Sequence, residues 1–292
     1  MKIALYGRPF DGRFDPQIRQ MLTFLERSGF EIWLHEAFQQ FLSKHYKTEI
    51  HGKVFKHSEE IQSKVEMLLS VGGDGTMLES AKLVGKSGIP MLGINTGRLG
   101  FLSSVAVEDI EKALNAIKAG EFDLEERSML NLSTPKKLFG EHNFALNELT
   151  VYRRDSASMI TIHTYIDGNF LNSYWADGLI ISTPTGSTGY SLSCGGPILH
   201  PLSESFVITP IAPHNLNVRP FVVPDTSTIL IKVEGRKEKF IASLDSATET
   251  ISSDTELTIT KSSFGTKLVR LKNEQFFRTL TNKLNWGLDK RN

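Results

Sequence analysis

The chain has 292 residues and a single cysteine, and its 33 Lys and Arg residues are balanced by 33 Asp and Glu. Formal neutrality leaves no global field for gripping DNA, RNA or an anionic membrane surface, so any phosphate recognition must be local. The length exceeds the usual span of one compact unit and predicts two domains. The lone Cys194, without an intrachain disulfide partner, fits a reducing compartment, the cytoplasm.

The run Met1 to Gly7 is too short for a signal-peptide core and reads as a first strand. No later stretch reaches the roughly 18 apolar residues of a membrane-spanning helix. Asp15 is placed to cap a helix with Pro16 at its first position, and Ile18, Met21, Leu22 and Leu25 repeat at the spacing of one buried face. Gly29 closes that helix. Glu31 to Leu34 is a short strand, and Val65 to Val71 is a second apolar run that stops at two glycines. A helix from Met77 to Val84, a strand from Ile89 to Ile94 and a helix through Ile110, Leu114 and Ile117 follow, the last ending at Gly120. Strands alternating with helices predict a mostly parallel sheet.

Beyond residue 125 helical periodicity fades. Ile160, Ile162, Thr164 and Ile166 share one face of a strand, and Asp167-Gly168 supplies a hairpin turn. Ile229 to Val233, Phe240 to Leu244, Leu257 to Thr260 and Leu268 to Leu271 are further strands, as in an antiparallel sandwich. The tail from Gln275 to Trp286 regains a helical pattern. The expected fold is therefore a Rossmann-like α/β domain over 1–125, rejoined by 275–292, and an antiparallel β-sandwich domain over 126–274.

Two segments carry chemistry. Leu68-Leu69-Ser70-Val71 enters the turn Gly72-Gly73-Asp74-Gly75-Thr76 at the C-terminal edge of a parallel strand, where open α/β sheets bind ligands. Glycines let backbone amides approach phosphate, and the following helix N-terminus favours negative charge. A carboxylate there repels phosphate, so Asp74 either caps the helix or has a second task, taking a proton from a hydroxyl or holding a cation. The spacing fits neither the phosphate loop of P-loop ATPases nor the dinucleotide fingerprint of dehydrogenases. The second segment runs from Asp177-Gly178 through Thr183 to Pro197, dense in hydroxyls and glycines, with Tyr190 offering an aromatic face. Cys194 in this stretch has no His beside it to make it a nucleophile.

Together with Leu92-Gly93-Ile94-Asn95, Gly97, Leu99-Gly100-Phe101-Leu102, Asn147-Glu148 and Ala176-Asp177-Gly178, these segments stand in the order and spacing of the NAD kinases, which the chain resembles over most of its length. The acidic glycine turn also occurs in lipid kinases and, in variant form, in phosphofructokinases, so the Thr183 to Pro197 segment carries the discrimination. The resemblance implies phosphorylation of NAD on the adenosine ribose 2′-hydroxyl by ATP or another donor, a divalent cation such as Mg2+, and a homodimer or homotetramer. It implies Asp74 as proton acceptor, and Gly75, Asn147, Glu148, Asp177, Thr188, Gly189, Tyr190, Ser191, Leu192, Ser193 and Ala212 as nucleotide contacts.

The sequence departs from relatives at Gly189, where alanine is frequent, and at Ser158 and Trp175, where some relatives carry basic residues. At Ala247 a glutamine side chain is often found. Arg8, Arg98 and Arg219 are candidates for countering donor phosphate charge, but solvated or ion-paired surface arginines are the favoured reading and they are not counted as catalytic. The 8 histidines show no zinc-ligand spacing. Rival readings are a lipid or sugar kinase using the same turn, and a non-catalytic NADP sensor.

Overall fold

The computed structural model describes residues 1–10, 12–48, 50–97, 100–154, 158–235, 239–272 and 276–286. Arg98, Leu99 and Gln275, singled out in the sequence, lie outside them. The chain divides into two compact units, Met1–Glu125 with Lys267–Asn292, and Glu126–Thr266.

In the first unit the elements run β1 (Lys2–Gly7), α1 (Asp15–Arg27), β2 (Glu31–His35), α2 (Glu36–Tyr46), β3 (Lys53–Phe55), α3 (Ser58–Ile61), β4 (Met67–Val71), α4 (Asp74–Val84), β5 (Met91–Asn95), β6 (Val105–Ala106), α5 (Ile110–Lys118) and β7 (Phe122–Arg127). The α1 stripe is buried as its spacing predicts, through Ile18, Met21, Leu22 and Leu25. Each such side chain contributes roughly 1.5–3 kcal/mol by leaving water. Asp15 does not cap α1. It is the first helical residue after Phe14, and its carboxylate is taken by His45 at 2.7 Å instead. Strands β4 and β5 are buried at every position, as befits a sheet covered on both faces.

The second unit continues with β8 (Leu130–Ser133), β9 (Phe144–Ala145), β10 (Glu148–Arg153), β11 (Ile160–Ile166), β12 (Asn169–Ala176), β13 (Gly178–Ser182), α6 (Tyr190–Ser193), β14 (Ser205–Ile211), β15 (Phe221–Pro224), β16 (Ile229–Glu234), β17 (Lys239–Leu244), β18 (Ala247–Ser252) and β19 (Leu257–Lys261). They form two six-stranded sheets, β15-β14-β13-β10-β17-β18 and β12-β11-β16-β19-β8-β9. The pairings within them are antiparallel, and Leu149, Val151, Leu179, Ile181, Ile162, Ile231 and Ile259 meet in their shared core. The β11–β12 turn has Asp167 at φ 49° and Gly168 at φ 79°, the doubly left-handed turn that Asp-Gly favours.

The chain then re-enters the first unit as β20 (Thr266–Leu271), followed by α7 (Phe276–Leu284). The first sheet reads β3-β2-β1-β4-β5-β20-β7, with β6 added beside β5. The sequence pattern assigned Leu268 to Leu271 to the sandwich, whereas Leu268 pairs parallel with Met91 of β5. A short apolar strand has the same pattern in either sheet, so only pairing decides its place.

Candidate active site

Strand β4 delivers the chain to Gly72, whose φ of 154° and contact with Thr76 exclude a side chain. Gly73 occupies the N-cap of α4, and the helix starts at Asp74, three residues before its predicted start. Asp74 does not cap it: no side-chain cap bond forms, and the carboxylate turns to the segment after β5. The Phe101 amide donates to Oδ2 at 2.8 Å, and the Leu102 and Ser103 amides donate to Oδ1, each at 3.0 Å. A Cβ at Gly100 would overlap this carboxylate, which explains a glycine there. The segment Gly100-Phe101-Leu102, legible in the sequence only as part of a family pattern, is thus the cradle that orients Asp74. Gly75 lies beside it, exposed, in the first turn of α4.

Nearby, Tyr6 at the end of β1 donates to Glu79 of α4 at 2.9 Å, and Arg8 forms a salt bridge to the same carboxylate. Burial and then Glu79 push the Tyr6 phenol up to about 12. Arg219 is turned toward its own loop, donating to the carbonyl of Val218 at 2.8 Å. Both arginines therefore have intramolecular partners.

In the second unit Glu148, Asp177 and Tyr190 line one cavity of about 440 Å³, together with Thr150, Tyr152, Arg153, Ile211, Ser243 and Asp245. Glu148 opens β10, Asp177 sits between β12 and β13, and Tyr190 begins α6. Arg153 pairs with Asp177 at 3.0 Å. Asp245, at φ 49°, accepts the amides of Leu146, Asn147 and Glu148 at 2.8, 2.9 and 3.0 Å, fixing the Asn147-Glu148 pair. Sequence reasoning missed Arg153 and Asp245; the second stood in view beside Ala247, but nothing local indicates a reach of about a hundred residues along the chain.

Burial first, and then the neighbouring Asp245, push the Glu148 carboxyl up to about 8. Its Oε2 and the Asn147 Oδ1 are buried and have no hydrogen-bond partner among the described residues. Orphaned polar atoms beside a cavity call for hydrogen-bond partners from outside the chain. Gly189 adjoins both: a Cβ there would stand 3.3 Å from Glu148 Oε2 and 3.4 Å from Asn147 Nδ2.

Several hydroxyls of the Thr183 to Pro197 stretch have partners within the protein. Ser191 is fully buried and bonds Thr209 at 2.8 Å, Ser187 bonds the Pro184 carbonyl at 2.7 Å, and the Thr183 hydroxyl bonds the Leu146 carbonyl at 2.5 Å. Arg127, itself buried, donates to Thr185 at 3.2 Å. Thr188 bonds the Thr185 carbonyl at 3.2 Å. These hydroxyls bond within the loop and to its neighbours. Leu192 and Ser193 complete α6 without lining the cavity. Ala212 follows Ile211 of the cavity wall at a left-handed φ of 44°. Burial raises the Cys194 thiol, the opposite of what a nucleophile needs.

Trp175 is exposed, its ring 4.3 Å from that of His214. Ser158 is half-buried, and the backbone carbonyl of Ala247 accepts the Ser243 hydroxyl at 3.2 Å.

No group of three His, Cys, Asp or Glu side chains converges among the described residues, so a cation cage built by protein alone does not fit. A cation carried on nucleotide phosphates needs no such cage, because the phosphate oxygens and water supply most of its ligands. No described helix is long and apolar enough to cross a membrane.

A carboxylate-bearing glycine turn at the end of a parallel strand, in a chain that also carries a nucleoside-sized polar cavity, marks a nucleotide phosphotransferase. Residues 15–122 match the family model described as ATP-NAD kinase N-terminal domain, and residues 146–271 match the ATP-NAD kinase C-terminal domain. The chain is 49% identical to an NAD kinase of Cytophaga hutchinsonii and 47% identical to one of Flavobacterium psychrophilum, each covered in full along with this chain. Among solved structures, an NAD kinase from Archaeoglobus fulgidus in complex with ATP is similar at 30% identity and TM-score 0.74, over 98% of this chain and 99% of that one. Yeast NADH kinase complexed with NADH shares the fold, at 24% identity and TM-score 0.86, over 98% of this chain and 88% of that one. The chain belongs to the NAD kinase family.

Proposed function

We propose that this enzyme transfers the terminal phosphoryl group of ATP, or of another phosphate donor, to the adenosine ribose 2′-hydroxyl of NAD, giving NADP. The observation that carries the residue assignment is the Asp74 carboxylate, held by three backbone amides at the N-terminus of α4. A carboxylate has about four acceptor sites, so one remains, on Oδ2, for the substrate hydroxyl. Asp74 orients that hydroxyl and accepts its proton. Phosphoryl transfer has a loose transition state in which alignment and charge neutralisation outweigh base strength, so a rigidly held carboxylate suits it.

The first turn of α4 and the glycine backbone before it offer amides to the donor phosphates. A divalent cation, which we assign as Mg2+, supplies charge neutralisation on those phosphates when bound. The nucleoside part of NAD occupies the 440 Å³ cavity, with its hydroxyl and amide donors on Glu148, Asn147 and Asp177 and a ring beside Tyr190. Gly189, which adjoins Glu148 and Asn147, and Ala212, next to Ile211 of the cavity wall, contact it through backbone. Gly75, Thr188, Ser191, Leu192 and Ser193 are nucleotide contacts on the family resemblance alone.

The enzyme assembles as a homodimer or homotetramer. In support, the sandwich exposes Phe170, Trp175, Leu216, Phe221 and Val222, and scattering-based mass measurement tests it. A single free cysteine supports a cytoplasmic setting.

The deciding experiment incubates the purified protein with ATP, Mg2+ and NAD and measures NADP with an NADP-specific dehydrogenase. Wild-type protein yields NADP, and Asp74→Asn lowers turnover severely while still binding NAD. Near-normal turnover by that variant would remove Asp74 from the mechanism, and a product formed only from lipid or sugar acceptors would overturn the substrate.

A further inference from the structure

The second unit contains another cavity, of about 320 Å³, which the proposed reaction does not use. It is lined by Glu126 and Ser128 before β8, by Leu202, Ser203 and Glu204 before β14, by Asp225 after β15, by Lys261 at the end of β19 and by Ser262 to Gly265 after it. Asp225 is 1% exposed. Its Oδ2 lies 2.7 Å from the Lys261 ammonium, while Oδ1 is buried and accepts no hydrogen bond from any described residue. The Ser128 hydroxyl on the same wall is likewise buried without a partner. A buried carboxylate answered by a single, partly exposed lysine is poorly compensated, since burial of a charge demands both a counter-ion and hydrogen bonds on its remaining lone pairs.

The chemistry of the wall selects the ligand. It needs a donor for Asp225 Oδ1 and a partner for Ser128, in a space that already holds the Lys261 ammonium. A second cation would face that ammonium, and a phosphate or carboxylate would face Glu126, Glu204 and Asp225. A neutral hydroxyl meets neither penalty, because it donates to a carboxylate and accepts from an ammonium or a serine. Phe264, Pro201 and Leu202 provide apolar wall for the carbon face of such a molecule. We propose that this cavity is a second binding site, separate from the NAD cavity, for a neutral vicinal diol of the size of one sugar, with Asp225 Oδ1 and Ser128 as its anchors.

The test titrates methyl β-ribofuranoside into the full-length enzyme saturated with NAD and without ATP, so that the acceptor cavity is occupied. The methyl resonances of Leu202 report this cavity and those of Ile211 report the other. Saturable shifts at Leu202 with a dissociation constant on the order of 1 mM are expected, with Ile211 unmoved. Ser128→Ala removes one neutral hydrogen bond and should weaken binding about five-fold, leaving NADP formation unchanged. Asp225→Asn should weaken it about ten-fold or more; if that variant does not fold, Ser128→Ala alone carries the comparison. Absence of a Leu202 shift, shifts with methylammonium but not with the riboside, or equal affinity in the Ser128→Ala variant would each overturn the proposal.

Discussion

Gly100→Ala tests the placement of Asp74 without altering Asp74 itself. The penalty that the structure shows for alanine at Gly100 is the new Cβ. That Cβ would overlap Oδ1 and Cγ of Asp74 and lie 2.8 Å from Oδ2, where ordinary contact begins at 3.4 Å. The carboxylate or the 100–103 segment must retreat by roughly 1 Å, and misplacement of that size costs about 100-fold in rate for an aligned reaction. That is about 2.7 kcal/mol on the barrier. Retreat also strains the bonds from Phe101, Leu102 and Ser103, each worth about 1.5–3 kcal/mol to a charged acceptor, so part of that energy is lost from stability. The assay is steady-state NADP formation alongside NAD binding by calorimetry and a thermal melt. The expected outcome is kcat down about 100-fold with NAD affinity within about three-fold of wild type. A folded Gly100→Ala enzyme with kcat within about three-fold of wild type would refute the claim that Asp74 acts from its amide cradle.

Glu148 makes stability pH-dependent. Its folded value of about 8 lies above the unfolded 4.5, so the folded state holds a proton that the unfolded state has released. The resulting stability is full below 4.5 and is lost as pH rises through about 8. Glu148→Gln should therefore melt increasingly higher relative to wild type from pH 5 to pH 8, by thermal denaturation across that range; a constant difference would contradict the assignment. Asp245→Asn leaves one of the Leu146, Asn147 or Glu148 amides facing an NH2 group, and should cost about 2–3 kcal/mol in chemical denaturation while raising the KM for NAD. Because the Asp245 charge is the second cause of the Glu148 shift, the same variant should move the pH-dependent window to lower pH. Ser191→Ala, which deletes a buried bond to Thr209, should cost about 1 kcal/mol in stability and leave NAD affinity unchanged, whereas a large affinity loss would restore its hydroxyl to the substrate site.

The sequence by itself determined the two-part architecture, because periodicity reports which face of an element is buried: the α1 stripe, the β11 alternation and the Asp-Gly hairpin all follow from local spacing. It also determined the glycine turn and the cavity residues Glu148, Asp177 and Tyr190, since their residue types and order match a family pattern. Only the tertiary structure decided where acceptors and donors meet. Asp74 is held by amides 27 to 29 residues away, and Asp245 reaches back 97 to 99 residues to hold Leu146, Asn147 and Glu148. The same holds for strand β20, whose short apolar pattern suits either sheet until Leu268 pairs with Met91, and for Ser191, whose hydroxyl looks available until Thr209 takes it. Local sequence specifies the conformation of a segment and the groups it offers, but a hydrogen-bond partner distant along the chain exists only once the chain has folded.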